Sequence, residues 1–336
     1  MDRRKQERNF SGQNVNIIKS IEIRNFKSIK EANIKCKRVN IFIGEPNTGK
    51  SNILESLGFF SAIAGYFFTL KEATRVERPV DLVFNNEVKE KIVLKIKDSP
   101  CIIECQNVRI NIKYQDISFN IGGPFSNSLP KIPDELVKEF KNIKFYKFKI
   151  RETFPVEKTD FLLPSGENLV MMLYTNSDAR KITSEILKNY GIILSLSPLE
   201  KKIGVAKVKE EAIVVNLPYI LLSDTLQRLI YYICAIETNE KSVLIFEEPE
   251  SHAFPYYTKY LAEKISYDIK NQYFITTHNP YFLLSLIEKT PKKDIGVFIT
   301  YMKEGETKVK SIPEEKLDEI MDYEKDIFLN LENFLK

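Results

Sequence analysis

The sequence predicts an α/β fold with a mixed, largely parallel sheet at its core, on three observations. Residues 39–43, 243–246 and 273–275 are near-continuous apolar runs, the pattern of strands buried on both faces. Apolar residues at helical spacing alternate with them: Ile53, Leu57 and Phe60 after the first run, Leu226, Ile230, Ile233 and Ile236 before the second, Tyr257, Leu261 and Ile265 after it. The first strand and helix are joined by Gly44-Glu45-Pro46-Asn47-Thr48-Gly49-Lys50-Ser51, which fits G-x-x-x-x-G-K-[ST] at every fixed position.

Residues 1–16 are polar and mixed in charge, without an apolar segment, and read as a mobile tail and not a secretory signal. From about 17 to 43 the chain alternates as strands do, through Ile21-Glu22-Ile23-Arg24-Asn25-Phe26-Lys27-Ser28 and Ala32-Asn33-Ile34-Lys35. The helix after the glycine loop is expected to reach about Leu70. Short alternating segments at 80–84, 92–96, 102–105, 108–112 and 117–121 predict antiparallel strands, and Gly122-Gly123-Pro124 ends the series. Residues 145–149 form another candidate strand, and Asp178 is placed to cap a helix ending near Tyr190, with Gly191 as its stop. The core pattern then returns with a strand at 212–215, the helix of Leu226 to Ile236, a strand at 242–246, a helix over 255–269 and the strand at 273–275. A strand pair near 297–301 and 307–309 precedes a charged helix, whose segment 314–325 reads as a solvated face. The chain thus divides into a core of 17–75 plus 205–310, an inserted β-rich and helical lobe of 76–204, and a C-terminal helix of 311–336. It contains no repeat and no heptad array long enough for a coiled-coil arm.

With 336 residues, 43% of them hydrophobic, the chain can bury a substantial core and is not a disordered one. A formal charge of +4 neither demands nor excludes nucleic acid, because a small net charge can hide a basic patch. Cys36, Cys101, Cys105 and Cys234 are scattered, and the Cys101 and Cys105 pair has no His nearby, so reduced intracellular thiols are expected and not a metal site. The longest apolar stretch, 57–70, is too short and too broken by Gly and Ser to span a bilayer. A cytoplasmic protein without membrane insertion is expected.

The glycine loop sits where a phosphate site needs it, between strand and helix. Its glycines let backbone N–H groups turn inward, and the helix start adds roughly half a positive charge. Lys50 can reach the outer phosphates of a nucleotide and Ser51 can hold Mg²⁺ through its hydroxyl. The second strand ends in Glu247-Glu248-Pro249-Glu250, which puts carboxylates at the carboxyl edge of the sheet, where α/β folds bind ligands. Glu247 is a candidate Mg²⁺ ligand and Glu248 a candidate to orient or deprotonate the attacking water. The third strand runs into Thr276-Thr277-His278-Asn279-Pro280, where His278 can reach a γ-phosphate. The aromatic group Phe59, Phe60, Tyr66, Phe67 and Phe68 is read as core before docking surface. Phe26 and Lys27 are read as structural, with adenine stacking and phosphate approach as their alternatives.

The acid-acid-Pro-Glu-x-His order at 247–252, followed by Thr276-Thr277-His278-Asn279-Pro280, resembles the ABC-type ATPases related to OLD, RecF and SMC proteins, which are AAA family P-loop NTPases. Ile23-Arg24-Asn25-Phe26-Lys27-Ser28 is similar to that group's N-terminal strand motif. Leu163-Pro164-Ser165-Gly166-Glu167-Asn168-Leu169 is similar to a segment found before its signature helix, and Leu222-Ser223-Asp224-Thr225-Leu226-Gln227-Arg228 stands where the signature belongs. The resemblance covers about residues 17–309. It implies a two-lobed head that closes on ATP as a homodimer. The loop residues Gly44 to Ser51 and Asn52 of one copy would bind the nucleotide, Ser223 of the other would contact it, Ser51 and Glu247 would hold Mg²⁺, and Lys50, Glu248 and His278 would serve hydrolysis. Three departures stand out. Glu247 replaces the common Asp, Asp224-Thr225 replace the Gly that normally follows the signature Ser, and no Gln loop is evident, Gln106 lying among β-rich residues.

Fewer than sixty residues follow His278, too few for the metal-dependent nuclease domain that OLD-type proteins carry there. The resemblance therefore implies a stand-alone ATPase head whose effector is DNA or another polypeptide, with DNA maintenance or defence against foreign DNA as the first reading. The alternatives are a regulatory subunit for a separate effector protein such as a nuclease or toxin, and a nucleotide-binding scaffold with little turnover.

Overall fold

A computed structural model of the protein describes residues 18–67, 69–106, 108–122, 131–208, 213–321, 327–328 and 330–335. The tail expected at 1–16, Phe68, the Gly123-Pro124 break and the start of the strand expected at 212 lie outside the described residues. The chain enters through β1 (Ser20–Phe26), β2 (Ile29–Lys35) and β3 (Val39–Gly44), followed by α1 (Lys50–Ile63) and α2 (Leu70–Thr74). Next come β4 (Ile92–Lys95), β5 (Cys101–Cys105), β6 (Arg109–Tyr114), β7 (Ile117–Gly122), α3 (Asp134–Phe140) and β8 (Ile143–Tyr146). Helices α4 (Leu169–Thr175) and α5 (Ser177–Lys188) lead to β9 (Ile193–Ser197), β10 (Lys202–Val208), β11 (Val214–Pro218) and α6 (Asp224–Thr238). The last elements are β12 (Val243–Glu247), α7 (Pro255–Tyr267), β13 (Gln272–Thr276), α8 (Pro280–Lys289), β14 (Ile295–Lys303), β15 (Glu306–Ser311), α9 (Leu317–Ile320) and α10 (Leu331–Leu335).

The central sheet has the order β15-β14-β3-β13-β12-β8, all parallel except β15, which turns back on β14. Alternation along its strands feeds two cores. Val39, Ile41, Ile43, Leu244 and Phe246 face the core shared with α4 to α8, while Phe42, Val243, Ile245 and Phe274 face the core that holds α1. A second sheet, β2-β1-β4-β5-β6-β7, is antiparallel throughout and covers the α1 side. A smaller sheet, β11-β10-β9, stands beside the helices. This is the expected α/β architecture with a mixed sheet core.

Several local features differ from the sequence-based expectation. Strands β4 to β7 do not make a sheet of their own but extend the one begun by β1 and β2, and β8 becomes an edge strand of the central sheet, so the segment expected as an insert at 76–204 is woven into both layers. Residues 80–84 are not a strand: Pro79–Leu82 is a 3₁₀ turn, because Pro79 lacks an N–H and Asp81 accepts from the Arg78 backbone. Helix α1 stops at Ile63, not Leu70. Gly65 adopts φ 81° and its N–H bonds Ala62 O while Tyr66 N–H bonds Ser61 O, the paired geometry that closes a helix with a left-handed glycine. The cap of α5 is Asn176, whose side chain accepts from Ala179 N, and Asp178 lies in the first turn; Gly191, at φ 65°, follows the helix as expected. From 311 the chain is a strand end, a 3₁₀ turn at Glu314–Lys316 and the short α9, with Leu317 and Ile320 buried, so the expected solvated helix over 314–325 is not continuous; 322–326 lie outside the described residues. Phe59 and Phe60 are buried, with Tyr66 and Phe67 half-buried against the same core, as the core reading requires. The cysteines are free thiols, and burial pushes Cys36, Cys101, Cys105 and Cys234 up to about 12. Among the described residues no helix is long and apolar enough to cross a membrane.

Candidate functional site

The loop 44–51 leaves the carboxyl end of β3, between β14 and β13, and runs directly into α1. Its two fixed glycines have separate physical reasons. Gly44 has φ 151°, and a Cβ there would stand 2.3 Å from Thr300 O. Gly49 precedes the first turn of α1 at φ 90°, and a Cβ there would stand 2.1 Å from Thr307 Oγ1. The loop is therefore pressed against the β14–β15 hairpin, with Glu45, Pro46 and Asn47 left exposed. Thr48 Oγ1 donates to Glu45 O at 2.8 Å and lies 2.7 Å from Thr300 Oγ1. Asn52 Nδ2 donates to Ser28 Oγ at 2.7 Å, and that hydroxyl lies 2.7 Å from Thr307 Oγ1.

Lys50 is 5% exposed and folds back over the loop, where Nζ donates to Gly44 O at 2.9 Å and Glu45 O at 2.7 Å. Burial lowers its pKa to about 8, against the pull of Glu248 and Glu45. Charge removed from water in this way is a standing demand for an anion. Ser51 lies in the first turn of α1, half-buried.

The acid pair lies two strands away, at the end of β12. Glu247 is partly exposed and pairs with Arg75 Nη2 at 3.3 Å. Glu248 takes φ 43°, which turns the chain sharply out of the strand, and its N–H donates to Thr276 O at 3.1 Å. His278 Nε2 stands 3.4 Å from Glu248 Oε1. Burial and the neighbouring Lys50 charge lower the imidazole pKa below its ordinary value, with Glu248 opposing. That lowering favours the neutral form of the ring. The structure brings Lys50, Glu248 and His278 to one edge of the sheet. Ser51 and Glu247 offer a hydroxyl and a carboxylate there, oxygen donors of the kind Mg²⁺ takes. Glu247 already holds one cation, the Arg75 guanidinium, so its carboxylate accepts positive charge.

Ser223 lies apart from this cluster. It is exposed at the start of α6, and its hydroxyl accepts from Leu226 N at 3.4 Å, so Ser223 caps the helix. Asp224 pairs with Arg228 Nε at 2.7 Å, one turn on. Thr225 Oγ1 donates to His252 O at 2.6 Å, tying the start of α6 to the turn after the acid pair. Gly166, at φ 73°, packs beneath Tyr231 of α6. Phe26 is fully buried in the α1 core, so it cannot stack on adenine. Lys27 is held by the buried Glu55 and by Thr74 O, which takes it away from any phosphate.

The motifs alone do not reveal Arg75 and Glu55, or the contact between Glu250 and Thr277. Glu55 is fully buried on α1 between Lys27 and Arg75, and Arg75 carries that network across to Glu247. Glu250 is 4% exposed; Thr277 Oγ1 donates to one of its carboxylate oxygens, while the other has no partner among the described residues. Burial raises its pKa to about 7. An acid residue three places after β12 and a Thr before His278 are visible in the sequence, but their contact is not.

The family model for an AAA ATPase domain matches residues 17–211. A Methanocaldococcus jannaschii protein described only as uncharacterized protein MJECL44 is 32% identical over 126 residues, 33% of this chain and 35% of that protein, so the chain aligns with about a third of this relative's length. Among solved structures, an Smc head bound to the C-terminal winged-helix domain of ScpA superposes with a TM-score of 0.57 at 16% identity, over 89% of this chain and 99% of that one. An Smc head with an extended coiled coil, bound to the C-terminal domain of ScpA from Pyrococcus furiosus, superposes with a TM-score of 0.54 at 14% identity, over 91% and 98%. The fold is that of an ABC-type ATPase head.

Proposed function

The chain belongs to the AAA ATPase domain family, and from that premise we propose that the site at the carboxyl edge of the central sheet binds ATP and hydrolyses it with Mg²⁺. The observation that carries this reading is Lys50, buried and lowered to about 8 inside a glycine loop, standing across the sheet from Glu248 and His278. Phosphates entering the loop would replace Gly44 O and Glu45 O as partners of the Lys50 ammonium and raise its lowered pKa. The N–H groups of the loop and of the first turn of α1 would bind the remaining oxygens. Ser51 and Glu247 would hold Mg²⁺, which when bound neutralises phosphate charge. Glu248, on its left-handed turn, would orient the attacking water, and His278 would donate to the γ-phosphate. Phosphoryl transfer needs positioning and charge stabilisation more than covalent help, and these groups supply both.

In the same reading Ser223 of a second copy contacts the nucleotide, and ATP closes a homodimer. The exposed place of Ser223, on the start of a helix tied by Thr225 to the acid-pair turn, supports a contact made between copies. Asp224 is neutralised by Arg228, which reduces its repulsion of a partner's phosphates. Glu248→Gln is expected to bind ATP without releasing phosphate and to elute as a dimer in gel filtration with Mg²⁺-ATP; a monomer under saturating ATP counts against the dimer.

The effector is proposed to be DNA, in maintenance or defence, with a separate protein as the second reading. The Smc heads in the two similar structures are bound to ScpA domains, which favours keeping a protein partner in view. ATP-dependent duplex binding that weakens steeply with salt supports the first. A co-purifying polypeptide with little DNA affinity supports the second.

A further inference from the structure

A second polar cleft, of about 750 Å³, is lined by the end of α1, the α3–β8 turn, residues 158–163 and the α6–β12 turn. It lies at the amino-terminal edge of the central sheet, since Lys144 is the second residue of β8 and Ser242 immediately precedes β12. The glycine loop leaves the opposite edge. Lys144 is 4% exposed, and its ammonium donates to Asn239 Oδ1 at 2.5 Å and Ser242 Oγ at 3.2 Å. It stands 3.6 Å from the centre of the Phe161 ring, and Lys158 stands 4.4 Å from the same ring. Lys141 lines the cleft as well. Among the described residues none of the three lysines has a carboxylate at ion-pair distance. Of the acids lining the cleft, Glu237 is committed to Lys264 and Glu240 to Lys270, each at 3.0 Å, and Asp160 is exposed. Two ammonium groups are thus held on one aromatic ring, one of them buried, with no carboxylate in direct contact among the described residues.

We infer that this cleft is a second ligand site, for a small phosphate-bearing anion held by Lys141, Lys144 and Lys158. Three ammonium point charges suit a phosphate dianion better than a single carboxylate. A nucleic-acid backbone would call for an extended exposed basic stripe and a free aromatic face for its bases. Here acids flank the lysines, and the Phe161 ring is already taken. Burial, then the Lys158 and Lys141 charges, lower the Lys144 pKa to about 7. A bound anion drives that pKa back up, so binding takes up a proton and weakens as pH rises above 7. The other titratable lining groups are Lys141, Lys158, Asp160, Glu237, Glu240 and Tyr66.

The test is calorimetric titration of the full chain with inorganic pyrophosphate, in the Lys50→Ala background so that the glycine loop does not compete. Saturable binding is expected, with proton uptake at pH 8 read from buffers of different ionisation heat. Lys144→Met should weaken it about tenfold or more, and the paired surface change Lys141→Gln with Lys158→Gln, which leaves the buried residue in place, by a similar factor. No heat with millimolar pyrophosphate, or equal affinity in the folded variants, overturns the site. Displacement of pyrophosphate by a single-stranded oligonucleotide that binds more tightly reassigns the cleft to nucleic acid and also overturns the proposal.

Discussion

At Glu250 a carboxyl sits in the turn after β12, almost fully buried, with one oxygen bonded by Thr277 and the other unpartnered among the described residues. Its folded pKa of about 7 lies above the ordinary 4.5. Below 4.5 both folded and unfolded chains carry the proton. Between 4.5 and 7 the folded chain retains a proton that the unfolded chain has lost, so stability falls as pH rises. By pH 8 the loss is about 3 kcal/mol. Glu250→Gln keeps an acceptor for Thr277 and removes the charge. Its melting temperature is therefore expected to gain on the parent's between pH 5 and pH 8, and a difference that stays constant over that range contradicts the argument. Lys50, Glu247, Glu248 and His278 were legible because each follows a buried strand in a recognisable order. Arg75, Glu55 and the Glu250–Thr277 contact were not, because ion pairs and hydrogen bonds between distant segments leave no periodic trace in the chain.

Among the elements, the glycine loop owes its shape to a hairpin more than 250 residues away. Thr300 and Thr307 crowd Gly44 and Gly49 so closely that neither position has room for a methyl group. Gly49→Ala combines that clash with a left-handed backbone, and is expected to lower stability by about 1–3 kcal/mol and to abolish ATP binding. A variant that melts and binds ATP like the parent, measured by calorimetry and nucleotide titration, refutes the buttressing role. Strands β3, β12 and β13 were predictable from their apolar runs, and so were helices α6 and α7 from their spacing. Partners of β4 to β7 were not, since alternation gives a strand its faces without saying which neighbour it pairs with. Local chemistry overrode pattern at Pro79, at Gly65 and at Asn176, where a missing N–H, a left-handed glycine and a capping amide set the boundaries.

The whole molecule is organised by one sheet that separates two cores, with the glycine loop, the acid pair and His278 all at its carboxyl edge. That convergence was legible because strand order in such folds delivers ligands to that edge. The weave of 76–204 into both layers was not, because a linear division into core and insert has no way to express a sheet shared by distant segments. The Thr225–His252 bond joins the helical side to the acid-pair turn. ATP hydrolysis at this edge is tested by phosphate release from the purified chain with Mg²⁺-ATP, beside Lys50→Ala and Glu248→Gln. Turnover is expected in the parent, with a fall of roughly a hundredfold or more in both variants and ATP still bound by Glu248→Gln. Equal rates in all three, or no release by a parent that binds ATP with duplex DNA present, would contradict it.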